Sequence, residues 1–181
     1  ALRNQLTQVK RLDLGGISIA RPLEMLREPD LGYLVTLLTG MQPIKALAVL
    51  PRGTPSPSTW YASGGGLRRR LELLARSADA LAALHGNGLA YADPSPHNLF
   101  VSESREALEV CFIDADNLQY ASRPGGPAVY TPGYGAPELV RGTSGVTSLT
   151  DAHAFAVLAF QTLALTHPLI GDAVADGSPD Q

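Results

Sequence analysis

Cysteine is nearly absent from this chain. Cys111 is the single one in 181 residues, so no internal disulfide framework holds the fold. Its place inside an apolar run predicts a small buried side chain rather than a reactive thiol. Lysine is almost as scarce: only Lys10 and Lys45 occur, and the other basic residues are arginines. With 14 basic against 17 acidic residues the formal charge is −3, which gives no basic footprint for direct binding of nucleic acid. No run of about 18 apolar residues is free of charges and breakers, and no signal peptide opens the chain. The expectation is a soluble, cytoplasmic protein that does not engage a membrane. A composition 45% apolar is enough to build a core, and the length fits one domain or a large part of one.

What is present centres on Leu89 to Phe100, "LAYADPSPHNLF". Asp93 and Asn98 stand five apart in a loop that Pro94 and Pro96 keep from becoming helical. A carboxylate and an amide are therefore held by a stiff turn. The apolar run Leu99 to Ser102 follows, and then "EVCFID", a second strand that delivers Asp114 at its end. Asp, Pro and Asn are also ordinary turn residues. The order of an acid, an Asn five later and a strand ending in an acid nevertheless suits phosphoryl transfer. Asp93 can orient or deprotonate a hydroxyl, while Asn98 and Asp114 can hold magnesium against phosphate oxygens.

The flanking chain reads as mixed helix and strand. Leu2, Leu6, Val9 and Leu12 share one helical face in residues 1–12, and Gly15-Gly16 ends that helix. "ISIARPLEML" and "GYLVTLLTG" read as an antiparallel strand pair around the turn "REPD". Residues 50–66 are dominated by Pro, Ser and Gly and read as a loop or connector. Their triple glycine neither follows a strand nor ends in Lys-Ser/Thr, so it marks flexibility rather than a phosphate loop. Residues 67–86 form an amphipathic helix with a seam of Leu67, Leu71, Leu74, Ala78, Leu81 and Leu84. Arg68, Arg69 and Arg70 begin it against the helix dipole, which predicts a solvated face, and His85 near its end predicts a packed or capping residue. A second helix over 149–166 is apolar almost all round, as for a helix buried centrally. Asp151 lies near its start, where a carboxylate also serves the dipole. Beyond Pro168 no further periodic helix is visible.

These residues carry a resemblance. The chain resembles the C-terminal two-thirds of the protein-kinase fold, an α+β architecture with strands and one helix left of the first lobe and a mainly helical second lobe. "YADPSPHN" supplies the acid and Asn of the catalytic loop, "DAD" the metal-binding acid, and "APE" stands intact at Ala136-Pro137-Glu138. The separations of 21 residues from Asp93 to Asp114 and 24 from Asp114 to Glu138 agree with that family. The resemblance implies ATP and Mg2+ as cofactors and Thr36, Leu37, Leu38 and Gly40 beside the adenine. It implies a substrate-receiving segment around Thr131 and Glu138, with Asp151 hydrogen-bonded to the catalytic-loop backbone. Residues 1–49 then form the remainder of the first lobe and the hinge, 50–66 a connector and 67–181 part of the second lobe. "LAYADPSPHNLF" with "FIDADNLQY" is most similar to bacterial kinase-like proteins that carry a helix-hairpin-helix module and often sit beside protein phosphatases. A protein substrate and a cognate phosphatase are the implied partners.

The departures are specific. Tyr91-Ala92 replaces the His-Arg before the catalytic Asp, so no Arg waits there for an activation-segment phosphate, and activity is not expected to depend on one. Tyr120, Ser122, Tyr130 and Thr131 are candidate phosphorylation sites only through their place in that segment. Ser95 replaces a lysine, and Ala115-Asp116 replaces Phe-Gly, with Asp116 read as a turn acid or as a second carboxylate near the metal. No Gly-rich loop or strand lysine is present, which predicts segments trimmed from both ends. Lys45 reads as a loop residue. An active serine/threonine kinase, a pseudokinase that binds nucleotide or partner, and an aminoglycoside-type small-molecule phosphotransferase all remain open.

Overall fold

The computed structural model describes residues 2–27, 29–30, 32–120 and 129–171. The fold is mixed α/β with small antiparallel sheets, compatible with part of a kinase-like fold. Helix α1 (Leu2–Lys10) buries Leu6 and Val9 and ends before the Gly15-Gly16 turn. The two expected strands pair antiparallel but shrink to β1 (Glu24–Met25) and β2 (Tyr33–Leu34). Glu28 and Leu31 of the connecting turn lie outside the described residues. Much of the first expected strand pairs elsewhere: Ile19 bridges in parallel to Phe112, while Ala20 N–H donates to Phe112 O at 2.7 Å. Pro22, which has no N–H to give, lies between the two pairings.

The sheet that carries the central loop has the order β3 (Met41–Pro43), β5 (Leu99–Ser102), β6 (Val110–Phe112), all antiparallel. Strand β5 buries Leu99 and Val101 fully on one face, and half-buried Phe100 and buried Ser102 lie on the other. Between β3 and the loop, residues 45–48 form the short helix α2 (Lys45–Ala48), so Lys45 opens a helix rather than sitting in a loop.

The stretch 50–66 departs most from expectation. It contains helix α3 (Pro57–Ser63), capped by Ser56, whose hydroxyl accepts from Thr59 N–H at 3.3 Å. A Ser N-cap followed by Pro at the first helical position explains why so breaker-rich a stretch is helical. Gly65 and Gly66 have φ of +93° and +65°, the left-handed turn that joins α3 to α4 (Gly66–Gly86).

In α4 the buried face is Arg69, Arg70, Leu73, Leu74, Ser77, Ala80, Leu81 and Leu84, while Leu67 and Leu71 are exposed. The arginines are not a solvated face. Arg69 donates to the carbonyls of Gly64, Ser102 and Ser104, and Arg70 to those of Tyr61, Gly66 and Leu47. The Arg70 guanidinium also lies 3.8 Å from the Tyr61 ring centroid. Five donors in a rigid fork suit orphaned loop carbonyls better than they suit a first-turn helix surface. Arg68 alone stays outside, paired with Glu72.

Helix α6 (Ser148–Ala164) opens on a reciprocal capping pair of Thr147 and Thr150. It packs against α4 and α2 through Ala154, Val157, Leu158 and Thr162. Its burial is one-sided, however, since Leu149 and Phe160 are exposed. The structure thus corrects the expectation of a helix enclosed all round. Residues 172–181 of the tail lie outside the described residues, and among the described residues no helix is long and apolar enough to cross a membrane.

Candidate active site

The central loop hangs between β4 (Leu89–Ala90) and β5, with α4 and α6 beneath it. Tyr91 and Ala92 follow β4, and Ala92 has φ of +83°, a conformation that costs an alanine about 1 kcal/mol or more. Asp151 holds that turn. Its fully buried carboxylate accepts from Tyr91 N–H at 2.6 Å, Ala92 N–H at 2.9 Å and His85 Nε2 at 2.9 Å. Three donors converge on one carboxylate, as a buried charge requires. His85 is therefore a packed partner near the end of α4, in agreement with the sequence.

The next residue, Asp93, is half-buried and bonded on both oxygens. Oδ1 accepts from Thr131 N–H at 2.8 Å, while Oδ2 accepts from Thr131 Oγ1 and Asn98 Nδ2, each at 2.9 Å. Thr131 comes from the segment before α5 (Pro137–Val140), so the loop and that segment are clamped together through one carboxylate. The Asn98 amide nitrogen is spent on Asp93. Its side-chain oxygen, Oδ1, makes no hydrogen bond among the described residues.

Asp114 arrives by a separate route. Ile113 N–H donates to Asn98 O at 2.9 Å, continuing the β5–β6 pairing past Phe112. Asp114 then turns into the left-handed region at φ +61° and starts a single turn of 3₁₀ helix over 115–117. That turn is packed under α1 and leads to β7 (Gln119–Tyr120), the partner of β4. Asp114 is open to solvent on one side. Crowding by the chain, followed by the charge and hydrogen bond of Asp116 and the charge of Asp93, pushes its carboxyl pKa up. The same field raises the phenol of Tyr33 on β2, through burial first and then Asp116 and Asp114.

Tyr91 ties the two routes together. Its ring is buried against Phe112, centroids 4.8 Å apart, and its hydroxyl donates to Ile113 O. Burial, then the charges of Asp93, Asp114 and Asp151, carry its phenol well above the usual range, so it stays a proton donor. Nothing in the residue pattern points to this role beyond the position of an aromatic before Ala92. Ser95, which stands where the resemblance expects a lysine, is fully buried with its hydroxyl unpartnered.

The remaining sequence-derived residues lie around this centre. Thr36, Leu37, Leu38 and Gly40 form the extended segment from β2 to β3, with Leu37 80% exposed and Gly40 O accepting from Glu103 N–H. No described hydrogen bond joins them to Asp93 or Asp114. Glu138 lies in α5, its backbone carbonyl accepting from Thr143 and Ser144 N–H, and its side chain makes no hydrogen bond among the described residues. Ser122 lies outside the described residues. Cys111 is half-buried, and burial raises its thiol pKa, in keeping with an inert side chain.

Magnesium fits the donor set. Asp114, crowded by two other carboxylates, and the side-chain oxygen of Asn98 are hard oxygen donors in a negative field. Among the described residues no group of three or more His, Cys, Asp or Glu forms a cage, so an ion here needs phosphate oxygens as well.

No family model matches the chain. It is 29% identical over 110 residues to the serine/threonine-protein kinase pkn2 of Myxococcus xanthus, a match covering 57% of this chain and 13% of that protein. It is 34% identical over 110 residues to the serine/threonine-protein kinase PknD of Mycobacterium tuberculosis, covering 59% of this chain and 16% of that protein. The matched region is thus less than a fifth of each relative's length, and it makes this chain similar to part of a bacterial serine/threonine kinase.

Proposed function

We propose that this chain is part of a protein kinase that transfers the terminal phosphoryl group of ATP to serine or threonine hydroxyls of a protein. The observation that carries the reading is the junction at Asn98: its side-chain nitrogen donates to Asp93, while its backbone carbonyl accepts from Ile113 N–H, the residue before Asp114, so one residue links both acids. Asp93 orients the incoming hydroxyl and takes its proton. Thr131 Oγ1 already occupies Asp93 Oδ2, so an arriving hydroxyl shares that oxygen in an aligned position. Asn98 and Asp114 would hold magnesium, which supplies charge neutralisation on the phosphate oxygens. Thr36, Leu37, Leu38 and Gly40 border the adenine, and Thr131 with Glu138 lines the substrate segment. Residues 1–49 serve as the remainder of the first lobe and hinge, 50–66 as the connector, now with α3 in it, and 67–181 as part of the second lobe. We place the protein in the cytoplasm with a cognate protein phosphatase as partner.

One observation favours a pseudokinase instead: Ser95 is buried in place of a lysine, so a positive contact to the transferred phosphoryl is missing. The same experiment separates the readings. Asp114→Asn should weaken magnesium-dependent ATP binding in calorimetric titration. Asp93→Asn should bind Mg-ATP normally while transfer falls about a hundredfold or more. Equal loss of binding in both variants removes the assignment of roles, and binding indifferent to magnesium favours the pseudokinase.

A further inference from the structure

The edge of the same loop carries a lysine and an imidazole that the phosphoryl-transfer reading does not use. Lys45 Nζ donates to His97 Nε2 at 3.0 Å. The pairing is built in, because Lys45 N–H donates to Pro96 O at 3.1 Å and Ile44 N–H to Leu99 O at 2.8 Å, stitching the start of α2 to the loop. Both side chains are exposed, and among the described residues no carboxylate lies within ion-pair distance of either. One of the two lysines in the chain stands here. An ammonium has three donors, so two remain after His97. Lys45 also borders a mostly apolar groove of about 370 Å³ formed with Gln42, Pro43, Ala46 and Val49, none of them acidic.

The electrostatics around this edge are uneven. Asp93, Asp114 and Asp116 give the inner face of the site three carboxylates, which disfavour an acidic side chain there. His97 adjoins Asn98, whose amide reaches Asp93, so the Lys45–His97 pair is one residue removed from the reacting centre along the loop. An extended peptide advances about 3.3–3.6 Å per residue. An acid two or three positions from the accepted hydroxyl therefore lies about 7–11 Å from it, clear of Asp93.

We propose that Lys45 and His97 form a specificity edge that selects protein segments carrying Asp or Glu two or three positions from the accepted hydroxyl, with an apolar neighbour seated in the groove. The assignment rests on the phosphoryl-transfer reading and names the substrate class of that same site.

The test pairs phosphorylation with binding on the full-length protein. Serine peptides carrying Glu, Ala or Lys at the flanking positions are compared by kcat/KM, and fluorescein-labelled copies by anisotropy. The Glu peptide should exceed the Ala peptide about fivefold, as for an exposed ion pair, and the Lys peptide should fall below both. Lys45→Glu/His97→Glu should reverse the order with ATP affinity unchanged, and circular dichroism should show the fold intact, since both side chains are exposed. Phosphorylation with no flanking-charge preference overturns the edge and leaves phosphoryl transfer standing. No phosphorylation, with an acid preference in anisotropy that still reverses, supports the edge and removes the kinase reading. A loss of ATP affinity in the reversed variant with peptide order unchanged assigns the pair to the nucleotide and overturns the proposal.

Discussion

Replacing Asp151 by Asn probes the whole arrangement with a change of one atom. The carboxylate is fully buried and accepts three hydrogen bonds, two from the backbone at Tyr91 and Ala92 and one from His85. The amide keeps one acceptor oxygen and turns an NH2 group toward at least one of those donors. Hydrogen bonds to a charged group contribute about 1.5–3 kcal/mol each, and a donor left facing a donor adds a desolvation cost of similar size. The turn being held is itself strained, since Ala92 sits at φ +83°, worth about 1 kcal/mol or more. We expect a net loss of about 3 kcal/mol after local relaxation. At about 2–4 °C per kcal/mol for a chain of this size, the midpoint of thermal unfolding should fall by about 6–12 °C. Scanning calorimetry of parent and variant measures it. Because Asp93 follows the strained turn directly, the folded variant should also transfer phosphate more slowly at saturating ATP. A midpoint shift below about 2 °C would refute the claim that this carboxylate fixes the loop.

Asp114 should be a site where function opposes stability. Its carboxyl pKa is raised in the fold, so the charged form is disfavoured relative to the unfolded chain, and the penalty is present above the folded pKa and disappears as pH falls through it. Asp114→Asn should therefore raise the melting temperature at neutral pH without nucleotide, with the gap to the parent closing in acid; a gap independent of pH would count against the crowding argument. Arg70→Met should cost about 3 kcal/mol in urea unfolding, because three backbone carbonyls lose their donor and the Tyr61 ring its cation. A loss under about 1 kcal/mol would mean water replaces the guanidinium freely. Tyr91→Phe removes a hydroxyl that donates to Ile113 O and should cost about 1–2 kcal/mol while weakening magnesium-dependent ATP binding, read by calorimetry. Unchanged nucleotide binding would separate Tyr91 from the placement of Asp114.

The parts of the fold that were legible in the sequence are those where a local rule and the tertiary structure agree. The helices expected over 67–86 and 149–166 appear as α4 and α6, and β5 and β6 are short apolar runs between turns. Legibility failed where composition and local chemistry disagree. Residues 50–66 read as connector because Pro, Ser and Gly dominate them, yet Ser56-Pro57 is a helix start with a mechanism, and it should have outweighed the composition. On α4 the leucine seam that periodicity predicts lies about a quarter-turn from the buried face, because Leu67 and Leu71 are exposed while Arg69 and Arg70 are buried. Near the N-terminus of that helix the inward positions meet backbone carbonyls of neighbouring elements. Guanidinium groups satisfy those carbonyls and leucines do not.

For the candidate site the boundary of legibility has a different cause. The order of Asp93, Asn98 and Asp114 was visible because each contributes through its own side chain, and chemistry restricts the residue type. Much of what supports them was hidden, because support runs through backbone groups that any sequence supplies. Tyr91 acts on Ile113 O, and Lys45 reaches the loop through Pro96 O as well as through His97, whereas the bonds of Asp151 to the Tyr91 and Ala92 N–H groups were expected through the resemblance alone. Such contacts constrain only one partner's identity, so no pair of residue types advertises them. This also explains how the chain manages without an arginine before Asp93. Asp93 reaches the 129–139 segment directly through Thr131, whose N–H and hydroxyl both meet its carboxylate, and Gly135 lies where any side chain would strike the Tyr130 ring. The segment is therefore seated by contacts present without a phosphate. Order at Thr131 and geometry at Asp93 are one and the same set of bonds, and a change that frees either should disturb both.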